Sequence, residues 1–164
     1  MNRLKEVVKV GVLFAGLYFP TTAFIDRFTI SLPTTDSQCL KATLYLIDKK
    51  DKNIKQGDLV AFKFNKEDSI FEKGRNFIKI TGALPGDTVQ YSPYEIKVND
   101  SQLDIINMLH VINFLNLEQR DFYKKFEIQK DELFVVGETM YSYDSRFWGT
   151  VNKSDVIGKA YAIF

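Results

Sequence analysis

The sequence predicts a mainly β domain behind an N-terminal membrane helix, with one short helical insertion. Three observations carry that prediction. Beyond Ile25, short runs of β-branched and aromatic residues alternate with Gly, Pro, Asn and Asp, the pattern of strands and turns. Before it, Val10 to Ile25 contains no charge and follows Arg3, Lys5 and Lys9. Within the β pattern, residues 101–126 carry apolar side chains at helical spacing instead.

Taken in chain order, the apolar stretch from Val7 to Ile25 would measure about 28 Å as a helix, close to the thickness of a hydrocarbon core. Basic residues on its N-terminal side favour a cytoplasmic N-terminus, with the remainder facing outward. A cleavable secretory signal is the alternative, since Pro20, Thr21, Thr22 and Ala23 are small or helix-breaking. A retained anchor over residues 1–25 and an exported domain over 26–164 is the reading adopted. The runs Leu40–Asp48, Asp58–Phe64, Asn76–Thr81, Thr88–Tyr91, Glu95–Val98, Leu133–Val136 and Ala160–Ile163 read as strands. Gly57-Asp58, Pro85-Gly86-Asp87 and Val98-Asn99-Asp100 supply turn chemistry between them. In 101–126, Leu103, Ile106, Leu109 and Ile112 form an apolar stripe that either covers the core or docks on a membrane or partner. His110, inside that stripe, reads as a packing residue.

Composition narrows the chemistry. With 164 residues, 45% of them hydrophobic, there is material for one sizeable core. Lys and Arg number 22 against 21 Asp and Glu, so no whole-chain attraction to nucleic acid is expected. Cys39 and His110 are the single residues of their types; one of each assembles no Cys/His metal set, and no cofactor is expected. Cys39 is read as buried or a free thiol, with pairing to another chain as the alternative.

A serine and a lysine together perform acyl transfer without histidine when the amine is neutral and placed to take the hydroxyl proton. Ser31 stands in Thr29-Ile30-Ser31-Leu32-Pro33, where Pro33 biases Leu32 toward an extended backbone. Lys79 lies in Phe77-Ile78-Lys79-Ile80-Thr81; as a strand, this places Phe77, Lys79 and Thr81 on one face and Ile78 and Ile80 on the other. Apolar neighbours desolvate an amine and disfavour its charged form. Thr29, two residues before Ser31, would share its face, and its hydroxyl with the Ser31 N–H could hold an oxyanion.

These blocks resemble the type I signal peptidase family, and more narrowly its TraF-type conjugative-transfer branch, in which a membrane-tethered β-domain cleaves exported preproteins with a Ser/Lys dyad. Ser31-Leu32-Pro33 resembles the nucleophile box, and Gly57-Asp58-Leu59-Val60-Ala61-Phe62 a strand box. Lys79 through Asp87 resembles the lysine box, Asp144 through Val151 the Asp-Ser-Arg-x-Trp-Gly-x-Val box, and Ile157-Gly158-Lys159-Ala160 the closing strand. The resemblance implies Ser31 as nucleophile, Lys79 as general base, Thr29 as oxyanion helper and Ser142 as the hydroxyl that orients the amine. It implies Asp144 and Arg146 as bracing residues, either close to the chemistry or as an ion pair that holds a loop. Departures include Leu32, Ile80 and Ala83 where Met, Arg and Gly are usual, a shortened Gly137-Glu138-Thr139 box, and Thr34 to Cys39 after Pro33.

The implied setting is the cell inner membrane, single-pass, with the catalytic domain in the periplasm. The implied substrate is a preprotein, narrowly a conjugative prepilin, cleaved by hydrolysis or cyclised through its own N-terminal amine. Components of a conjugation or type IV secretion apparatus are the further partners implied. A self-cleaving repressor uses a similar dyad but should carry a DNA-binding helix-turn-helix, and none precedes Ser31. A membrane-anchored scaffold that keeps the fold without the activity is the non-enzymatic alternative.

Overall fold

Buried and less buried side chains alternate along residues 88–91, 96–98 and 156–160, the pattern of strands with one core face, whereas 133–136 is buried throughout. The computed structural model describes residues 16–33 and 39–164; the first fifteen residues of the expected anchor lie outside them. Helix α1 occupies residues 16–27 among those described, and Leu17, Tyr18, Phe19, Phe24 and Ile25 on it are all exposed. Among the described residues no helix is long and apolar enough to cross a membrane. Helix α1 runs directly into strand β1 (Phe28–Ser31). The junction is pinned: Arg27 Nε and Nη2 both reach the Asp48 carboxylate, and Lys49 N donates to Arg27 O at 2.8 Å.

Strands β2 (Tyr45–Asp48), β3 (Leu59–Lys63), β4 (Asn76–Ala83), β9 (Glu132–Val136), β10 (Val151–Asn152) and β11 (Val156–Ala162) join β1 in one antiparallel sheet, ordered β1-β2-β11-β3-β4-β9-β10. A second sheet, ordered β7-β6-β5-β8, holds β5 (Thr88–Tyr91), β6 (Ile96–Val98), β7 (Ser101–Gln102) and β8 (Lys124–Glu127). Asn99 and Asp100 both adopt positive φ, 49° and 64°, as the two-residue turn between β6 and β7 demands. The strand boxes at 57–62 and 157–160 meet through Lys159 Nζ, which donates to Asp58 Oδ2 at 2.7 Å.

Several boundaries differ from the sequence expectation. The 40–48 run is strand only from Tyr45, β4 continues to Ala83, and β11 begins at Val156 rather than Ala160. The larger correction concerns 101–126. Its ends are strands β7 and β8, and within it only α2 (Leu109–Phe114) is α-helical, followed by a 3-10 turn over Gln119–Phe122. The stripe does not propagate into a longer helix because α2 has no side-chain cap and no acid in its first turn, and because Asn116 takes a left-handed φ of 52° just past its end. Beyond the turn, Lys124 to Glu127 pairs with β5.

The segment covers the core. Met108, Ile112 and Phe122 pack with Val89, Tyr91, Ile96 and Val98 of the small sheet and with Phe134 and Val136 of the large one. His110 packs its ring edge-on against Tyr141 at 4.9 Å. Ile112 is 0% and Phe114 81% exposed, two residues apart on the same helix. Ile112→Ala should therefore cost about 2–4 kcal/mol in urea unfolding, whereas Phe114→Ala should change stability by less than about 0.5 kcal/mol.

Candidate active site

Strand β4 is paired unequally on its two sides. Along β3 the ladder is complete, from Lys63 opposite Asn76 to Leu59 opposite Ile80. Along β9 it starts only at Ile80, opposite Val136. Asn76 to Lys79 therefore present a free backbone edge, and Phe77, Ile78 and Lys79 line a cleft of about 120 Å³ whose other side is formed by Ser31, Leu32 and Pro33. Cys39, a free thiol, also lines it. The register puts Lys79 opposite Val60 and Phe77 opposite Phe62, so Lys79 shares the face of Phe77 and Thr81 that strand alternation requires.

Lys79 is 2% exposed. Its Nζ lies 3.2 Å from Ser142 Oγ, and Ser142 Oγ in turn donates to Asp144 Oδ2 at 2.7 Å. Because the hydroxyl has a single proton and the carboxylate takes it, Ser142 can only accept from Lys79. Asp144, 0% exposed, collects five donors: Ser142 Oγ, Gly137 N at 2.9 Å, and Arg146 through N at 3.2 Å, Nε at 2.8 Å and Nη2 at 2.7 Å. Burial pushes the Asp144 carboxyl up, but the charge and hydrogen bonds of Arg146, with the Ser142 bond, outweigh it and hold the group below the ordinary carboxylate range.

Asp144 also serves as the N-cap of α3 (Ser145–Trp148). That short turn brings Arg146 back onto the carboxylate two residues earlier, while Ser145 Oγ accepts from Val135 N at 2.9 Å and fastens the motif to β9. The expected site residues thus divide. Ser31 and Lys79 meet in one cleft, though no hydrogen bond joins them. Ser142, Asp144 and Arg146 form one buried network with Lys79. Thr29 is exposed on β1, on the Ser31 face but outside the cleft lining.

Two contributors escape a reading of residue types. Gly137 is one: a Cβ there would lie 2.1 Å from Ser142 Oγ and 2.6 Å from the Cys39 carbonyl oxygen, so only glycine lets Ser142 reach Lys79. Its signal in the sequence is a glycine directly after the buried run Leu133–Val136. The other is the Ile106 carbonyl, which accepts from Arg146 Nη1 at 2.9 Å; a backbone acceptor in an irregular stretch has no sequence signature.

The family described as "Signal peptidase, peptidase S26" matches residues 4–164. A probable signal peptidase I-2 of Synechocystis is 30% identical over 112 residues, which span 66% of this chain and 47% of that protein. Signal peptidase I of Aquifex aeolicus is 22% identical, with 98% of this chain and 83% of that protein covered. Signal peptidase IB of Staphylococcus aureus is 23% identical, with 95% and 86% covered. The crystal structure of a signal peptidase I from Enterococcus faecalis V583 superposes with a TM-score of 0.45 at 22% identity, over 67% of this chain and 98% of that one. Since the family match runs from residue 4 to the last residue and takes in every one of the motif blocks, this chain belongs to the signal peptidase family of serine peptidases.

Proposed function

We propose that this chain is a membrane-tethered endopeptidase of exported preproteins, with Ser31 as nucleophile and Lys79 as general base. The observation that carries it is a buried amine, in the cleft that Ser31 lines, bonded to a hydroxyl rather than to a carboxylate. The Asp144 carboxylate beyond Ser142 is already matched by Arg146. Acting as base, the amine donates one N–H to Ser142 and turns its lone pair to a second partner, and the cleft is where Ser31 waits.

The free edge of Asn76–Lys79 and the outer edge of β1, the terminal strand of its sheet, can accept an extended peptide by strand addition. The cleft measures about 120 Å³ and is walled by Phe71, Phe77 and Leu32, which suits small side chains such as Ala before the scissile bond. Ser31 Oγ bonds to the scissile carbonyl carbon while its proton passes to Lys79 Nζ. The oxyanion is held by the Ser31 N–H and the Thr29 hydroxyl. The ammonium then returns the proton to the leaving nitrogen as the C–N bond breaks, leaving an ester on Ser31. Lys79 next takes a proton from the second nucleophile as that atom attacks the ester, and Ser31 Oγ recovers a proton from Lys79 when it leaves.

The exposed apolar side chains of α1 support an anchor over 1–25, and Ser31 follows that helix by four residues, at most about 14 Å of extended chain. The nucleophile then works close to the membrane surface, on the periplasmic side of the inner membrane. The TraF-type resemblance of the sequence blocks supports a conjugative pilin precursor as substrate, components of the conjugation apparatus as partners, and the substrate's own N-terminal amine as an alternative second nucleophile to water.

Ser31→Ala and Lys79→Met should each lower kcat on a preprotein by about 10³-fold or more while the fold persists; cleavage at the wild-type rate by either variant would remove that residue from the chemistry, and a wild type that cleaves no preprotein would return the chain to a scaffold role. Co-expression with candidate pilins followed by intact-protein mass spectrometry should give the linear trimmed mass for hydrolysis, or that mass less one water for cyclisation. Stability reports on Asp144 separately. Its folded carboxyl is depressed, so its contribution is complete above the unfolded value of about 3.9 and fades as pH falls through the folded one. Asp144→Asn should be destabilised by about 3–5 kcal/mol at pH 7, since it leaves the Arg146 charge buried and unmatched. The gap from wild type in urea unfolding should narrow below about pH 4.

A further inference from the structure

Phe71 and Phe77 both line the cleft beside Lys79. Phe77 belongs to β4, but Phe71 arrives from the connection between β3 and β4, where no ladder holds the backbone. Whatever fixes that connection fixes one wall of the cleft. The Asp68 carboxylate does so with both oxygens: Oδ1 accepts from the backbone N–H of Ile70 at 2.8 Å and of Phe71 at 3.1 Å, closing a tight turn, and Oδ2 accepts from the Tyr143 hydroxyl at 2.9 Å. Tyr143 stands between Ser142 and Asp144. Its ring packs against Phe71, with centroids 5.8 Å apart, and stacks on Phe147 at 4.9 Å. Burial, and then the Asp68 bond, push its hydroxyl well above the usual phenol range, so it remains a donor at working pH.

We propose that Tyr143 is a specificity-determining positioning residue: through Asp68 it holds the Phe71 wall at a fixed distance from the segment carrying Ser142 and Asp144, and so restricts the adjoining subsite to small side chains of an extended peptide. The inference rests on the endopeptidase reading and deepens it. Tyr143 does not line the cleft; its effect passes through the wall. Removing the hydroxyl alone keeps both ring contacts and frees the Asp68–Phe71 turn to move outward, which loosens the grip on a small residue and makes room for a larger one.

The test uses the full chain in detergent micelles and two peptides that differ only in carrying Ala or Leu before the scissile bond. Tyr143→Phe should raise KM for the Ala peptide about tenfold with kcat within about twofold of wild type, and should reduce the preference for Ala over Leu. Asp68→Ala, which removes the acceptor of the Tyr143 hydroxyl together with that of the Ile70 and Phe71 N–H groups, should have at least as large an effect, and Tyr143→Phe should add nothing on that background because its partner is already gone. Affinity for the Ala peptide on a Ser31→Ala background, read by fluorescence anisotropy, measures the wall without the chemistry. There, Tyr143→Phe should weaken binding by the same factor, and amide hydrogen exchange at Ile70 and Phe71 should quicken. Unchanged affinity, unchanged exchange or an unchanged Ala/Leu ratio would overturn the proposal while leaving the dyad intact. A wild type that binds the peptide in this manner but never cleaves would overturn the dyad instead, and a wild type that neither binds nor cleaves would overturn both.

Discussion

A buried carboxylate with every lone pair occupied organises this molecule. Asp144 has no exposed surface, and a charge so placed is tolerated only where it is paired and fully hydrogen-bonded. Arg146 supplies the countercharge through a two-point fork and a backbone N–H, Gly137 supplies the N–H that follows the last residue of β9, and Ser142 supplies a hydroxyl. The last of these has a chemical consequence. Committing the Ser142 proton to Asp144 turns its oxygen into an acceptor, and the acceptor faces Lys79. The orientation of one amine is thereby set by an ion pair that never touches the cleft.

Asp144 and Arg146 form a buried ion pair, and the Ser142 hydroxyl is the link between that pair and Lys79. The insertion belongs to the same network, since the Ile106 carbonyl takes one Arg146 N–H; β5 joins it as well, through the Tyr91 hydroxyl that donates to the Arg146 carbonyl at 3.1 Å. The segment between the two sheets therefore does two jobs. Met108, Ile112 and Phe122 close the core, and an irregular stretch beside them completes the shell around the guanidinium. An irregular backbone suits the second task because its carbonyls are not consumed by a helix or a ladder.

The cleft follows from incomplete pairing. A strand inside a sheet ordinarily spends its N–H and C=O groups on both neighbours; β4 pairs with β3 over Asn76–Ile80 and with β9 over Ile80–Ala83, so Asn76–Lys79 have no partner on the β9 side. Across the opening stands the end of β1, held in place because Arg27 at the end of α1 is clamped to Asp48 on β2. The N-terminal helix, the strand that bears Ser31 and the central sheet are thus joined by one exposed-to-buried ion pair.

The β class and the positions of most strands were legible in the chain, and the resemblance of its short blocks to those of one family named Ser31, Lys79, Ser142, Asp144 and Arg146 together. They rest on local rules: alternation about Lys79, turn residues at Gly57, Gly86 and Asn99, and short blocks with a fixed internal order. Family membership was legible for the same reason, because those blocks are contiguous. The tertiary structure alone decided where pairing stops on β4, why residue 137 must lack a side chain and what Arg146 does with its remaining N–H. Each of these depends on contacts between segments some tens of residues apart, and no spacing within a segment encodes a contact whose other half lies elsewhere in the chain.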